Sequence, residues 1–180
     1  MSKKVLIIST SLRNSANSEI LARETERGAR EVGHEVEFIT LKDKQINFCK
    51  GCLACQKLGK CVIDDDANKI TAKMKEADVI VWATPIYYYE MSGQMKTLID
   101  RANSLFATGK NFTETYVITT SADSSKGVIQ TVLNGVKGWI ACFSNLELKG
   151  YLEAGGLNNP NDVNNRQDLL DAAYNMGKNI

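Results

Sequence analysis

The segments KVLIIS (Lys4–Ser9) and ADVIVWAT (residues 77–84) decide the fold of this chain. Both are short, continuous apolar runs rich in β-branched residues, a pattern typical of strands buried on both faces of a parallel sheet. A helical pattern over residues 18–32 ends at Gly33 and leads into another predicted strand over residues 35–41. This alternation indicates an α/β fold with helices on both faces of the sheet.

The rest of the chain continues the alternation. Two more strands are predicted over residues 114–120 and 146–152, and four more helices over residues 67–76, 93–104, 126–142 and 162–178. Because parallel strands are joined by right-handed crossover helices, this order predicts a doubly wound sheet of five strands. No linker or repeat divides the 180 residues, of which 43% are apolar, so we expect a single domain over residues 1–180.

Charge and hydropathy exclude several classes of partner. The 22 lysines and arginines nearly balance 21 acidic residues, which leaves no excess positive charge to attract nucleic acid or an anionic membrane. The apolar run near the amino terminus is too short for a signal peptide, and no run reaches membrane-spanning length. We therefore expect a cytoplasmic protein that acts on a small molecule.

Polar residues follow the first strand, at the edge of the sheet where ligands bind in such folds. The loop STSLRNSANS, residues 9–18, combines hydroxyl and amide side chains with one arginine before a helix begins. This combination suits a phosphate monoester, although an ordinary polar turn capped by Asn17 or Ser18 is the alternative. The loop lacks the lysine of ATP-binding loops and the glycines of dinucleotide sites, so neither ligand is favoured.

The loops after two other strands suit a flat aromatic ring. TPIYYYEMSG, residues 84–93, places a rigid proline turn before three tyrosines and a methionine, which form an apolar wall with polar tips. A subunit interface is the alternative use of these tyrosines. Residues 120–123 offer backbone groups that could recognise the polar edge of the ring. The three loops together indicate a phosphorylated flat heterocycle.

The segment TPIYYYEMSGQMKTLIDR, residues 84–101, closely resembles the signature of the flavodoxin-like NAD(P)H-dependent FMN reductase family. That signature is T-P-[IV]-Y followed by S-G-x-x-K-x-x-[IL]-D-R. The first loop is similar to the family's phosphate loop, G-S-P-R-x-N-G-N-[ST], although Thr10, Leu12 and Ala16 replace its glycines and its proline. The resemblance implies a flavodoxin-like three-layer sandwich whose five-stranded parallel sheet has the order 2-1-3-4-5.

The resemblance also implies FMN as the cofactor and NAD(P)H as an electron donor. The phosphate would be bound by Ser11, Arg13, Asn17 and Ser18. The ring would lie against Pro85, Ile86, Tyr87 and Tyr88, with Thr120, Ser121 and Ala122 at its pyrimidine edge. Lys96, Asp100 and Arg101 match the signature but suit ion pairing or subunit packing better than catalysis. No catalytic acid or base is required, because the flavin carries the chemistry.

Four of the five cysteines lie in CKGCLACQKLGKC, residues 49–61, within a predicted loop at about residues 43–63. They are Cys49, Cys52, Cys55 and Cys61. Ferredoxin-type runs share the C-x2-C-x2-C start but place the fourth cysteine three residues later, before a proline. Structural zinc usually takes two separated pairs of cysteines, and free thiols are the third alternative. The fifth cysteine, Cys142, is predicted to lie in the core.

Iron-sulfur flavoproteins, a branch of the same family, resemble this chain in the spacing of these cysteines. The resemblance implies a [4Fe-4S] cluster on the four thiols. The function hypothesis is an FMN oxidoreductase that moves electrons from NAD(P)H or a ferredoxin-like donor to a quinone, flavin, azo or nitro compound. The alternative is a flavin-binding regulator or electron carrier with free or zinc-bound cysteines. The tyrosine-rich turn and the helix over residues 93–104 are predicted to form the contact of a homodimer or homotetramer.

Overall fold

The computed structural model describes all 180 residues, which form one sheet with helices on both faces. The strands are β1 (Lys4–Ser9), β2 (Glu35–Thr40), β3 (Val79–Tyr87), β4 (Glu90–Met91), β5 (Glu114–Thr120) and β6 (Glu147–Ala154). The helices are α1 (Asn17–Glu31), α2 (Ala54–Leu58), α3 (Asp66–Glu76), α4 (Gly93–Arg101), α5 (Ser104–Thr108), α6 (Gln130–Ile140) and α7 (Gln167–Lys178). A 3₁₀ turn, Asp162–Asn165, precedes α7.

The strand order is β2-β1-β3-β5-β6, and these five strands are all parallel. The two-residue strand β4 pairs antiparallel with the end of β3 and lies outside this order. The predicted order 2-1-3-4-5 is therefore confirmed, since β5 and β6 are the fourth and fifth strands of the parallel sheet. The carboxyl ends of β1, β3 and β5 lie side by side at one edge.

The continuous apolar strands are explained by a core on each face of the sheet. Successive strand side chains point to opposite faces. Leu6 and Trp82 therefore belong to the core beneath α3, α4 and α6, whereas Ile7 and Val81 belong to the core beneath α1 and α7. All four are at most 2% exposed.

Two glycines allow α1 and α7 to pack in backbone contact. A Cβ atom on Gly28 would lie 2.1 Å from the carbonyl oxygen of Tyr174, and one on Gly177 would lie 2.0 Å from that of Thr25. Only glycine permits such an approach. The Thr25 hydroxyl also donates to the carbonyl of Ala173 at 2.9 Å. These contacts fix the carboxyl-terminal helix against the helix that begins at the edge of the sheet.

Several predicted element bounds were wrong. The helix predicted over residues 93–104 is two helices, α4 and α5, and the last helix begins at Gln167, not at residue 162. Helix α6 begins later than predicted, because Gly127 has a φ of 87° that a right-handed helix does not allow. Cys142 lies beyond the end of α6 and is exposed, so its assignment to the core was wrong. None of the helices combines the length and apolar composition needed to cross a bilayer.

Candidate functional site

A cavity of about 230 Å³ lies at the carboxyl ends of β1, β3 and β5. All of the predicted flavin-binding residues except Tyr88 line it: Ser11, Arg13, Asn17, Ser18, Pro85, Ile86, Tyr87, Thr120, Ser121 and Ala122. Ala16 and residues 157, 158 and 160, the last three of which follow β6, complete the lining and were not predicted as site residues. The residues after β6 carry no recognisable motif, and only their position after the last strand could have indicated them.

The start of α1 forms the polar end of the cavity. Ala16 occupies the N-cap position, and no side chain caps the helix, so the N–H groups of its first turn have no side-chain acceptor. The hydroxyl oxygen of Ser18 is buried and has no hydrogen-bond partner. An unpaired buried polar group costs about 1–3 kcal/mol, and a ligand that pairs with it recovers that cost. The helix dipole favours an anion at this position.

Arg13 is the only charged residue that lines the cavity. Its guanidinium is exposed to solvent, and Nη1 donates to the carbonyl oxygen of Asn158 at 3.2 Å. No carboxylate lines the cavity to neutralise this charge. The arginine and the uncapped helix therefore make the polar end positive, as a phosphate site requires.

Asn17 connects two loops through its side chain. Its Nδ2 donates to the carbonyl oxygen of Asn159 at 2.8 Å, and its Oδ1 accepts from the N–H of Val163 at 3.1 Å. Predicted as a phosphate ligand, Asn17 does line the cavity, but its amide is engaged with the loop after β6. In this structure it shapes the site by fixing that loop.

A buried hydroxyl network joins the loop after β1 to the end of β3 and to the start of α4, next to residues that line the cavity. The hydroxyls of Thr10 and Ser92 lie 2.9 Å apart, and Thr84 Oγ1 accepts from the N–H of Ser92 at 3.0 Å. The Thr10 hydroxyl also lies 3.1 Å from the carbonyl oxygen of Ala83, to which it donates. Thr10 stands where the family pattern has glycine, and its hydroxyl joins the loop after β1 to β3 and to the start of α4.

The hairpin between β3 and β4 forms the aromatic side of the site. Tyr87 pairs with Glu90 across the hairpin, so Tyr88 and Tyr89 make a two-residue turn, with φ values of 49° and 63°. Positive φ at both positions is the type I′ geometry, which usually takes Asn and Gly. Tyr87 lines the cavity and is about half exposed, whereas Tyr88 is fully exposed and lies outside it. The hydroxyl of Tyr89 donates to the carboxylate of Asp123 at 3.2 Å.

The cysteine run lies apart from this cavity. Cys49 and Cys52 are exposed, and Cys55 and Cys61 are partly buried. No three His, Cys, Asp or Glu side chains in the structure are close enough together to hold a metal ion. The predicted set of four ligands is therefore present in one segment but is not gathered around one point.

Arg101 anchors this segment through a buried ion pair. The exposed fractions of the Arg101 and Asp65 side chains are 0% and 4%, and Nη1 lies 2.7 Å from a carboxylate oxygen. Burial alone would raise the pKa of Asp65, but hydrogen bonds from Arg101 and Asn47 outweigh it and hold that pKa at about 2. Lys96 and Asp100 form an exposed pair at 2.6 Å. The predicted ion pairing of these signature residues is confirmed.

A larger groove, of about 940 Å³, lies between α4, α6 and the start of the cysteine run. Its apolar lining includes Trp139 and Phe143, and both Cys49 and Cys142 reach it. Met91 of the hairpin also lines it. The β3–β4 hairpin therefore separates the cavity at the sheet edge from the groove beside the cysteines.

A doubly wound sheet with an uncapped helix terminus and a proline–tyrosine turn at its carboxyl edge is typical of a flavodoxin-like protein. The sequence model for NADPH-dependent FMN reductase matches residues 3–143. The chain belongs to that family.

Several relatives and solved structures are similar to the chain. An iron-sulfur flavoprotein of Methanocaldococcus jannaschii is 46% identical over 102 residues, which cover 57% of this chain and 53% of that protein. One of Methanosarcina thermophila is 37% identical over 109 residues, covering 61% and 56%. The chain thus spans about half the length of these curated relatives. An NAD(P)H:quinone oxidoreductase structure from Methanothermobacter marburgensis has a TM-score of 0.77 at 16% identity, covers 99% of this chain and 96% of its own, and shows the shared fold.

Proposed function

We propose that this protein is an FMN-dependent oxidoreductase that transfers electrons from NAD(P)H, or from a ferredoxin-like donor, to a small acceptor such as a quinone, flavin, azo or nitro compound. The observation that carries the proposal is the positive, carboxylate-free end of the sheet-edge cavity, where Ser18 has an unpaired buried hydroxyl. Family membership supports FMN and NAD(P)H as the two redox partners.

The residues present fit FMN at both ends of the cavity. Ser11, Arg13 and Ser18 would bind the phosphate together with the first-turn N–H groups of α1. Pro85, Ile86 and Tyr87 would contact the ring, and residues 120–122 would contact its polar edge. When bound, FMN accepts a hydride or single electrons, which is the chemistry of the reaction.

The half-exposed Tyr87 leaves the ring side of the cavity open to solvent, so that a second planar molecule could approach there. The hydrogen bond between Tyr89 and Asp123 joins the hairpin to the loop after β5, and both segments contribute residues to the cavity. The protein's part in the reaction is therefore to bind, orient and partly expose the cofactor. No titratable side chain other than Arg13 and Tyr87 lines the cavity, and neither is needed as an acid or base.

We further propose that Cys49, Cys52, Cys55 and Cys61 hold a [4Fe-4S] cluster. Four thiolates are the usual ligand set of such a cluster, which supplies one-electron transfer when bound. Positive φ values at Gly51, Leu53 and Gly59 give the backbone tight turns between the cysteines. The resemblance to iron-sulfur flavoproteins supports this proposal. Free thiols, with direct reduction of FMN by NAD(P)H, are the alternative favoured by the ungathered arrangement of the sulfurs.

The test is anaerobic purification followed by analysis of flavin, iron and acid-labile sulfide. We expect about one FMN and about four each of iron and sulfide per chain. Steady-state oxidation of NADH and NADPH by the FMN-loaded protein then identifies the donor. Turnover with neither nucleotide, combined with reduction by a ferredoxin, would assign a relay from a ferredoxin-like donor. Purified protein that binds no flavin would refute the proposed activity, and iron-free protein would refute the cluster alone.

A homodimer or homotetramer is proposed as the assembly. The exposed side chains of Tyr88 and Tyr89 and the apolar groove beside α4 support it, because monomeric proteins rarely expose large apolar surfaces together. Light scattering of the flavin-loaded protein measures the assembly directly. A stable flavin-loaded monomer would contradict the proposal. The cytoplasmic location stays a prediction from the sequence.

A further inference from the structure

Two of the four thiols in the cysteine run accept hydrogen bonds from side chains at the end of α4. The Nε–H of Arg101 donates to Sγ of Cys61 at 3.3 Å, and Nδ2 of Asn103 donates to Sγ of Cys55 at 3.4 Å. Cys49 accepts only a backbone N–H from its own loop, that of Gly51. Two cysteines of the run, Cys55 and Cys61, are therefore held by side-chain hydrogen bonds. The other two, Cys49 and Cys52, accept none from side chains.

The direction of the Arg101 donor is fixed by the other bonds of the guanidinium. Nη1 donates to Asp65 and to the carbonyl oxygen of Asn47, both at 2.7 Å. Nη2 donates to the carbonyl of Ile63 at 3.0 Å and to Asp65 at 2.8 Å. With Nε–H on Cys61, all of the guanidinium donors are used. Asn47 precedes the run and Ile63 follows it, so this one buried side chain joins the two ends of the loop.

Asn103 acts from the break between α4 and α5. Its amide is partly buried and lies at the N-cap position of α5, but it makes no capping bond. The side chain of Asn103 makes one hydrogen bond, to the sulfur of Cys55. The Asn103 amide therefore does not cap α5. Instead it donates to a thiol of the cysteine run, which indicates that its role is to position that thiol.

We infer that Arg101 and Asn103 are positioning residues for the cysteine run. They hold Cys61 and Cys55 in place before a metal arrives, and their N–H groups then set the reduction potential of the group that the thiols bind. Cys49 and Cys52 would supply the other two thiolates of the proposed cluster. The inference rests on the proposed cluster for its redox consequence, but the holding of the two thiols does not depend on that cluster.

The sign of the redox effect follows from charge. Reduction adds negative charge, which spreads onto the sulfurs, and an N–H donor stabilises the more negative state. Partners of this kind, one shell outside the ligands, tune metal sites and orient their ligands. Removing either donor should therefore lower the reduction potential. A purely structural clamp would change folding stability and leave the potential of the folded protein unchanged.

The experiment uses the full chain with Asn103→Leu and Arg101→Lys, and Thr97→Val as the matched control. Lysine keeps the positive charge beside Asp65. It cannot donate two hydrogen bonds to that carboxylate and a third to Cys61 in the geometry of the guanidinium. Thr97 lies on the same helix, and its hydroxyl donates to the carbonyl oxygen of Gly93, not to a sulfur. Its replacement removes a side-chain donor without changing the charge near the cysteines. The potential is measured by anaerobic redox titration of the reconstituted protein. We expect the equilibrium constant for reduction of the cluster to be about tenfold smaller in each test variant. For one electron, that change corresponds to a reduction potential about 59 mV lower. The control should match the unchanged protein.

A second measurement separates this inference from the proposed cluster. Metal-free, reduced protein is titrated with Co²⁺, whose thiolate charge-transfer absorption reports binding to cysteine. We expect the two test variants to bind Co²⁺ about tenfold more weakly than the unchanged protein and the control. If the unchanged protein binds Co²⁺ but assembles no cluster, the cluster proposal fails and the affinity losses still support the positioning role.

Equal Co²⁺ affinities and equal potentials in all four proteins would overturn the inference while leaving the cluster in place. Failure of the unchanged protein to bind either Co²⁺ or a cluster would overturn both. Should Arg101→Lys fail to fold, Asn103→Leu decides the outcome, because that replacement is close in size and leaves the buried ion pair with Asp65 intact.

Discussion

The cavity at the sheet edge and the cysteine run differ in how completely the protein builds them. The cavity is lined by residues at the strand ends, and a network of buried hydroxyls from Thr10, Thr84 and Ser92 joins the neighbouring segments. The cysteine run is held at its two ends by Arg101, while Cys49 and Cys52 remain exposed. A site assembled from strand ends inherits the rigidity of the sheet, whereas a site within one loop depends on its anchors and on its ligand.

This comparison predicts that the two regions bind their groups independently. The largest expected effect is that of Cys61→Ala, which removes one of four thiolates and should abolish retention of iron and sulfide. FMN content should stay near one per chain, because Cys61 does not line the cavity. Iron, sulfide and flavin analyses after anaerobic purification measure both quantities. Cys142→Ala, which removes the cysteine outside the run, is the control, and loss of FMN from Cys61→Ala would show that the regions are coupled.

The anchor of the cysteine run should be sensitive to acid. The pKa of Asp65 is about 2 in the folded protein, below its ordinary value of 3.8, so its ionisation stabilises the fold above about pH 4. That contribution, about 2 kcal/mol, should be lost as the pH falls through about 2. Urea unfolding between pH 5 and pH 3 measures the onset. Asp65→Asn should be less stable at pH 5 and should show a smaller loss toward pH 3, and an unchanged pH dependence in that variant would remove Asp65 from the anchor.

At the other region, Arg13→Ala should weaken FMN binding by about tenfold, or 1.4 kcal/mol. The magnitude is at the lower end for a charged hydrogen bond because Arg13 is exposed to solvent. Flavin fluorescence titration of the FMN-free protein measures the affinity. Arg166→Ala, which removes an exposed arginine paired with Asp168, is the matched control. Unchanged affinity would exclude Arg13 from the phosphate site.

The smallest effect is expected for Ser18→Ala. Its hydroxyl has no partner in the protein, so removal should leave the stability of the FMN-free protein unchanged or slightly higher. FMN affinity should fall about fivefold, equivalent to about 1 kcal/mol. Thr71→Val is the control, since the Thr71 hydroxyl is also buried without a partner but lies outside the cavity. Equal FMN affinity in both variants would show that no ligand pairs with Ser18.

Much of the cavity could be predicted from sequence because parallel strands place their carboxyl ends together. Because residues 4–9, 77–84 and 114–120 are predicted strands of one parallel sheet, the loops that follow them are expected to meet at one edge. The loop after β6 was missed because it contributes mainly backbone: Arg13 and Asn17 both donate to its carbonyl oxygens. Every residue has a backbone carbonyl, so contacts of this kind cannot be recognised from the amino-acid sequence.

The position of Tyr88 shows that consecutive tyrosines in a sequence need not all line the same cavity. The motif does not reveal that β4 pairs with β3 and reverses the chain between Tyr87 and Glu90. That reversal places Tyr88 at the tip of the hairpin, fully exposed, while Tyr87 remains in the cavity. Turn geometry, not composition, decides which tyrosine lines the cavity.

The cysteine run was predictable as a set of thiols but not as an arrangement. Spacing alone could not show which cysteines are held, because the donors Arg101 and Asn103 lie 40 and 48 residues from their sulfurs. The buried partner of Arg101, Asp65, is likewise 36 residues away. Contacts at such separations depend on the packing of α4 against α3, which local pattern does not specify.

The bonds from Asn17 to Asn159 and Val163 have a consequence for protein synthesis. They join the beginning of the binding cavity to residues more than 140 positions later in the chain. A growing chain thus makes strand β1 and its loop early, yet the cavity cannot close until residues up to Val163 have left the ribosome. We therefore expect flavin to bind late in synthesis. A nascent chain stalled before Val163 is exposed should retain less flavin than a chain stalled after it.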